Sequence, residues 1–143
     1  MASDFQDLLL ELPKYAKKMQ ELSEIVLANL VMISEIPAPT FNEQKRVEFI
    51  INRLTESGLN NCSTDEVGNA LGVLDGENGS KNILVVAHLD SNVESSRDHT
   101  IRIQTNRVYG PGVIDNGTVL AIMTSLPEIL DHLGLTLKSN LVL

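Results

Sequence analysis

The chain has 143 residues, enough for one domain with a hydrophobic core and too few for two of ordinary size. Hydrophobic residues make up 43% of it, which excludes a disordered or low-complexity protein. Eleven Lys and Arg against nineteen Asp and Glu give a formal net charge of −8, which argues against a nucleic acid or an anionic membrane as partner and suits a site for divalent cations.

The first 34 residues are predicted to form a helical lead-in. Ser3 and Asp4 can cap a short opening helix, and Pro13 fits the first turn of a second one. Apolar residues then recur every three or four positions, as on an amphipathic helix: Tyr15, Met19, Leu22, Val26, Leu30 and Ile33. The run is short and Pro37 follows it, which favours a helix packed on a core over a coiled coil.

This amino-terminal segment does not have the pattern of a secretion signal. It carries acids where a signal peptide needs bases, and its short apolar run ends at Pro13 and Lys14. No apolar run in the sequence approaches the roughly twenty residues that cross a bilayer. We therefore expect a cytoplasmic protein.

Residues 40–43 are predicted to open the next helix with a capping box, in which the Thr40 hydroxyl accepts a backbone N–H and Glu43 reaches back. That helix should end at Gly58. It should bury the apolar side chains of Val47, Ile50, Ile51 and Leu54.

Strands and a further helix are predicted to alternate over the remainder of the chain. The predicted strands cover residues 62–67, 70–74, 83–87, 100–104 and 136–143, and the helix covers residues 118–131. Residues 83–87, Ile-Leu-Val-Val-Ala, are apolar without alternation, which is typical of a central strand covered on both faces. The single cysteine, Cys62, is expected to be a buried or half-buried thiol. The order of elements predicts an α/β layer fold with a mixed, largely parallel sheet.

His88 follows the apolar strand directly, and Asp90 comes two residues later. Side chains at the carboxyl end of a central strand project into the crevice where open α/β sheets bind ligands. An imidazole there can ligate a metal ion while a nearby carboxylate fixes its tautomer. Taken alone, the pair is more typical of a strand-end His that is hydrogen-bonded to a turn Asp than of a metal site.

Residues 110–117, Gly-Pro-Gly-Val-Ile-Asp-Asn-Gly, bring one carboxylate, Asp115, to the start of a helix. A dinucleotide-binding fingerprint fails here, because Asp115 stands at its third glycine and would repel a pyrophosphate. A calcium loop fails because alternating oxygen ligands are missing. An ordinary helix-capping Asp remains the alternative for this segment alone.

Together the two elements resemble a family of zinc metallopeptidases, the group of the aminoacylases, carboxypeptidases, tripeptide aminopeptidase, succinyl-diaminopimelate desuccinylase and acetylornithine deacetylase. The resemblance lies in the ordered set of an apolar strand ending in His-Leu-Asp, a connecting strand pair, Tyr-Gly-Pro-Gly-x-x-Asp-Asn over residues 109–116, and a helix. Residues 36–43 also look like the family's approach to its second helix. The resemblance covers about residues 33–143.

The resemblance implies a layered helix-sheet-helix catalytic domain of the zinc-exopeptidase (phosphorylase/hydrolase-like) kind over residues 1–143, with an α/β part from residue 35 onward. His88 would ligate one zinc ion, Asp115 would bridge two, and Asp90 would act in catalysis by orienting His88. A non-proline cis peptide would join Asp115 to Asn116. Cobalt or manganese would suit the same ligands as zinc.

The family's general-base Glu, an adjacent ligand Glu and the remaining ligands would follow the strand at residues 136–143. We therefore expect an amino-terminal part of a di-zinc hydrolase, incomplete at its carboxyl end and inactive alone. The complete protein would cleave amide bonds in small peptides or N-acyl amino acids by a metal-activated water. Many members have a Lys and a further Gly after the bridging Asp, where this chain has Gly117 and Thr118, and this leaves the subfamily open.

A non-catalytic binding or assembly module on the same scaffold is the alternative function, and a nucleotide-binding domain rests on the glycines alone. An uncovered strand edge and apolar surface would favour a dimer or larger homo-oligomer. His99 and His132 fit no family motif and are predicted to be surface residues.

Overall fold

The computed structural model describes residues 2–143. The helices are α1 (Ala2–Glu21), α2 (Ser23–Ser34), α3 (Gln44–Glu56) and α4 (Thr118–Leu133), and a π-helical turn at Val113–Gly117 leads into α4. The strands are β1 (Asn60–Thr64), β2 (Ala70–Leu74), β3 (Asn82–Leu84), β4 (Arg102–Gln104), β5 (Arg107–Tyr109) and β6 (Asn140–Val142).

Four strands form one mixed sheet in the order β1-β2-β6-β3. The β1–β2 and β2–β6 pairings are antiparallel, and β3 pairs with β6 in parallel. The N–H of Val85 donates to the carbonyl of Val142, so the pairing continues one residue beyond β3 toward His88. The strands β4 and β5 form a separate antiparallel pair. The α/β fold with a mixed sheet is confirmed, but the expectation of a largely parallel sheet is wrong for the described residues, because β3 and β6 form the one parallel pairing among their strands.

The core lies between the sheet and the helices. Helix α2 packs on α4, and α3 packs on β1 and β2. Aliphatic side chains fill this space, as the low aromatic content requires, and the most deeply buried are Leu22, Ile33, Ile50, Leu54, Leu120 and Ala121. The predicted burial of Val47 along α3 is also confirmed, whereas Ile51 is only half-buried. Gly58 takes the left-handed conformation, with φ of 82°, just after α3.

The helical lead-in differs from its prediction. The chain forms one helix from Ala2 to Glu21 with Pro13 inside it, and a new helix begins at Ser23. Ser3 and Pro13 therefore do not mark two separate helix starts. Met19 remains 45% exposed, because only the later part of the apolar stripe, from Leu22 onward, reaches the core.

The prediction that residues 83–87 form a central strand covered on both faces is wrong for the described chain. In the described sheet β3 is an edge strand paired only with β6, and its regular part ends at Leu84. Ile83, Leu84 and Val86 are 48%, 64% and 75% exposed. Only the start of the apolar run, residues 83–84, is strand as predicted, and no described element covers its outer edge.

By length and composition alone, the segment Val113–Leu133 could cross a membrane. However, 56% of its most apolar stretch is buried inside the fold. Asp115 and Asn116 depart from helical dihedral angles, so the regular helix is the 16 residues of α4, short of the roughly twenty that span a bilayer. A buried core helix accounts for this segment.

Replacing Leu54 with Ala should destabilise the fold by about 2–5 kcal/mol, because Leu54 is fully buried under the sheet and its loss leaves a cavity. Urea unfolding followed by circular dichroism measures this free energy. The matched control is Leu10→Ala in α1, where the side chain is 76% exposed and the change should stay within about 0.5 kcal/mol. Equal effects of the two substitutions would contradict the assigned core.

Candidate metal centre

The fold brings His88, Asp90 and Asp115 together. The Nδ1 atom of His88 lies 3.0 Å from Oδ1 of Asp90, and its Nε2 atom lies 3.2 Å from Oδ1 of Asp115. The side chains of His88, Asp90 and Asp115 are 52%, 35% and 73% exposed. A neutral imidazole can donate from only one of its nitrogens, so the other nitrogen directs a lone pair toward a carboxylate oxygen, an arrangement that a cation between the two atoms would relieve. The arrangement is therefore a site for positive charge.

The second oxygen of Asp90 is held by Thr40. The Thr40 hydroxyl donates to Oδ2 of Asp90 at 2.7 Å. This hydrogen bond, and after it the one from His88, lower the pKa of Asp90, so the carboxylate stays ionised near neutral pH. The predicted capping box is wrong: Thr40 faces Asp90, Glu43 occupies the position before α3, and the Glu43 carboxylate accepts the N–H of Phe41 at 2.7 Å.

The loop between α2 and α3 lies beside the segment that carries His88. The N–H of Ser91 donates to the carbonyl of Ala38 at 2.7 Å, and Pro39 forms a parallel bridge with Ser91. Phe41 adopts a left-handed conformation with φ of 71°, which is unusual for a bulky residue, and is 92% exposed. The loop thus runs past Asp90 and turns away directly after Thr40.

Arg46 of α3 is a buried cation behind the site. It is 2% exposed, its Nη1 donates to the carbonyl of Leu89 at 2.7 Å, and its Nη2 donates to the carbonyl of Ile36. Its Nε atom is buried and has no hydrogen-bond partner among the described residues. Burial lowers the pKa of Arg46, while the charge of Asp90 raises it. The guanidinium therefore joins the α2–α3 loop to the segment of His88.

A tight turn presents Asp115. Gly112 takes the left-handed conformation with φ of 69°, and the peptide between Asp115 and Asn116 is cis, as the family resemblance implied. The Thr118 hydroxyl donates to the carbonyl of Val113 at 2.6 Å and closes the turn. Asp115 therefore leaves the helical path just before α4 begins.

Asn116 joins this turn to the segment of His88. Its side-chain amide donates to the carbonyl of His88 at 3.2 Å, and the residue is 8% exposed. The next residue, Gly117, packs against α2, where an added Cβ would lie 2.7 Å from the carbonyl oxygen of Gly112 and against the Ser34 hydroxyl. Only glycine fits this close approach.

The His88 and Asp115 donors fit one edge of a zinc site. Two ligands at about 2.0–2.1 Å from a tetrahedral zinc lie roughly 3.3 Å apart, close to the 3.2 Å between Nε2 of His88 and Oδ1 of Asp115. The chemistry of the donors, one imidazole and one carboxylate, also suits zinc. Among the described residues, however, there is no group of three or more His, Cys, Asp or Glu side chains placed to hold a metal ion. The fit is to part of a site.

The other two histidines lie away from this arrangement. His132 is exposed near the end of α4, as predicted. The prediction of a surface residue is wrong for His99, which is 8% exposed and has its Nε2 atom 3.1 Å from the carbonyl of Glu94. The polar loop that carries His99 folds over the ring, which composition alone does not reveal. Cys62 is half-buried, as predicted.

An open groove of about 990 Å³ adjoins His88 and Asp90. Its walls are mainly apolar and come from α3, from the β1–β2 turn and from the segment that follows β3, with Phe41, Val47, Ile51, Val67 and Val86 among its lining residues. His88 and Asp90 thus adjoin an apolar surface.

Sequence reasoning missed Thr40, Arg46, Asn116 and Gly117 as parts of the site. A signal existed for Arg46, because helical periodicity places it on the same face as Ile50 and Leu54. A charged residue on an apolar face is a candidate for a specific role. The sequence contained no comparable signal for the hydroxyl of Thr40.

Comparison with protein families matches residues 69–143, just over half of the chain, to the family described as Peptidase family M28. A sequence search among curated proteins finds no match. Among solved structures, the chain is similar to a di-peptidase from Saccharomyces cerevisiae, at 18% identity and a TM-score of 0.72, over 88% of this chain and 32% of that one.

A tripeptidase from Staphylococcus aureus aligns at 15% identity and a TM-score of 0.69, over 83% of this chain and 35% of that one. Aminoacylhistidine dipeptidase from Vibrio alginolyticus aligns at 20% identity and a TM-score of 0.58, over 82% and 26%. This chain spans about a third or less of the length of these structures. The likeness confirms the fold, and the predicted resemblance to a peptidase family is confirmed.

Replacing Gly117 with Ala should destabilise the chain by about 1–3 kcal/mol, because the added methyl overlaps the Gly112 carbonyl and the Ser34 hydroxyl. Urea unfolding measures the loss. The control is Ser34→Ala at the same contact. It removes a buried hydroxyl that has no hydrogen-bond partner in the described part of the chain, and it should change stability by no more than about 0.5 kcal/mol. A Gly117→Ala variant as stable as the original chain would contradict this packing.

Proposed function

The chain belongs to peptidase family M28, and we propose that it is the amino-terminal part of a zinc-dependent hydrolase. The complete protein would cleave amide bonds in small peptides or N-acyl amino acids. The names of the similar solved structures, a di-peptidase, a tripeptidase and an aminoacylhistidine dipeptidase, support a small peptide as substrate. The observation that carries the proposal is the placement of His88 between two carboxylates, one at each ring nitrogen.

In this proposal each of the three side chains has a separate role. His88 is a zinc ligand through Nε2, since Nδ1 is engaged by Asp90. Asp115 would be the second ligand and would be shared between two zinc ions, for which its 73% exposure leaves room. An anionic bridge offsets the repulsion between two cations. Cobalt or manganese would suit the same donors.

Asp90 acts on His88 rather than on substrate. Its ionised carboxylate would accept a hydrogen bond from Nδ1–H, which would keep the lone pair of Nε2 directed at the site. The hydrogen bond from Thr40 favours the ionised form of Asp90. When bound, the zinc ions would lower the pKa of a water molecule and would polarise the scissile carbonyl of the substrate.

The groove beside the site is a candidate path for the substrate. Its apolar walls would take an uncharged side chain of a small peptide, with the scissile amide at the edge near His88. The open walls also imply that further protein segments complete the binding site.

The described residues support half of a site. With two ligands placed together, zinc keeps at least two coordination positions open to solvent, so its affinity should be low. A general-base Glu, which the family resemblance places further along the sequence, is also required for turnover. We therefore propose that the 143-residue chain is inactive alone.

Cytoplasmic location and homo-oligomerisation stay predictions. The exposed apolar side chains of Ile83, Leu84 and Val86 favour association between chains. Light scattering at high concentration would detect a dimer, and a monomer under those conditions would contradict the expected assembly.

Zinc titration of the purified chain tests the ligand assignment. We expect weak binding by the original chain and no detectable binding by His88→Ala or Asp115→Ala, because each removes one of two ligands. Competition with a chromophoric chelator measures the affinity. The matched controls are His132→Ala and Asp131→Ala in the exposed part of α4, which should bind zinc like the original chain.

Hydrolysis of dipeptides by the same preparation is the companion assay. We expect no turnover above background, because a complete metal site and a general base are absent from the described arrangement. Rapid turnover by the chain alone would contradict the proposal that these residues form only half of the active site. If His88→Ala and Asp115→Ala both bound zinc as tightly as the original chain, the assignment of these residues as ligands would be wrong, and a non-catalytic module would be favoured.

A further inference from the structure

Arg46 is a charged residue in a buried position, and burial of its charge costs free energy that its packing does not offset. Its side chain is 2% exposed, yet its guanidinium donates to two main-chain carbonyls, and none of its hydrogen bonds among the described residues goes to a carboxylate. Burying a cation without a bonded counter-ion is expensive, and apolar residues usually occupy such positions. The two acceptors belong to Ile36 and Leu89, one on each of the two segments that meet behind the site.

Thr40 lies on the first of these segments. The bridge between Pro39 and Ser91 sets the loop against the segment of His88, and the Thr40 hydroxyl then reaches Oδ2 of Asp90 at 2.7 Å. The other carboxylate oxygen of Asp90 lies 3.0 Å from Nδ1 of His88, and the main-chain carbonyl oxygen of Asp90 lies 3.2 Å from the same nitrogen. A carboxylate rotates freely about its last side-chain bond unless both oxygens are engaged. Thr40 supplies the second point of attachment.

We propose that Thr40 and Arg46 are positioning residues that preset His88 for metal binding. Arg46 fixes the main chain at Leu89, Thr40 fixes the plane of the Asp90 carboxylate, and Asp90 then selects the tautomer of His88 that carries its proton on Nδ1. This leaves Nε2 unprotonated and directed at Asp115. The inference rests on the proposed function in so far as Nε2 is the zinc ligand.

Arg is required at position 46 because one planar group must reach two carbonyls at once. A guanidinium presents several N–H donors in a fixed fork, whereas an ammonium group is a single point on a flexible stem. Arg46→Lys keeps the charge and should lose one of the two attachments. Thr40, in contrast, is exposed, so Thr40→Val removes only the hydroxyl and should leave the fold intact.

The decisive measurement is the tautomer of His88 in the metal-free chain, read from long-range ¹H–¹⁵N spectra at mildly alkaline pH. We expect the Nδ1–H form in the original chain, a mixture of both tautomers in Thr40→Val, and recovery of the Nδ1–H form in Thr40→Ser. The matched control is Thr136→Val in the exposed segment before β6, which should leave the spectrum of His88 unchanged.

Zinc affinity is the second readout. Thr40→Val and Arg46→Lys should each weaken zinc binding about tenfold, the usual effect of losing a residue that orients a metal ligand. Arg107→Lys on the exposed strand β5 is the control for the Arg substitution and should bind like the original chain. If Arg46→Lys fails to fold, Thr40→Val decides the question.

The two readouts separate this inference from the proposed function. A Thr40→Val chain with the original tautomer and the original zinc affinity overturns the positioning role and leaves the zinc site standing. A changed tautomer in a protein that binds no zinc in any form overturns the zinc site and leaves the positioning role standing.

Discussion

The candidate site depends on one main-chain contact, the hydrogen bond from the N–H of Ser91 to the carbonyl of Ala38. Ala38 is fully buried, and its small side chain lets the α2–α3 loop lie close against the segment that follows β3. Thr40 then reaches Asp90, and Arg46 spans both segments from behind. Because the contact is between backbone groups, the distance between the two segments of the site does not depend on the side chains that they carry.

In both halves of the candidate site, an exposed side chain that could bind a metal is carried by a main chain that a buried side chain holds. His88 and Asp115 are 52% and 73% exposed, whereas Arg46 and Asn116, which hold their main chains, are 2% and 8% exposed. The Asn116 side chain donates directly to the carbonyl of His88, so a hydrogen bond joins the two halves. This arrangement keeps two donors 3.2 Å apart without filling the space around them.

Prediction from sequence succeeded where a repeating pattern or a motif of adjacent residues carried the information. The apolar spacing in α3 located Val47, Ile50 and Leu54, and strand β2 was predicted over residues 70–74, as observed. It failed where the deciding partner is distant in sequence: Thr40 bonds to a residue 50 positions away, and the covering of residues 83–87 depends on neighbouring strands. The placement of His88, Asp90 and Asp115 was predicted from the family resemblance.

The order of strands has a consequence for how the molecule folds. The inner strand β6 lies between β2 and β3, although in the sequence it follows α4 and therefore follows both of its neighbours. Until β6 arrives, β3 has no partner in the described sheet and the segment of His88 lacks its anchor at Val142. Closing so long a loop costs chain entropy before the pairing repays it, so sheet formation should be late and slow, and β1 and β2 should pair first.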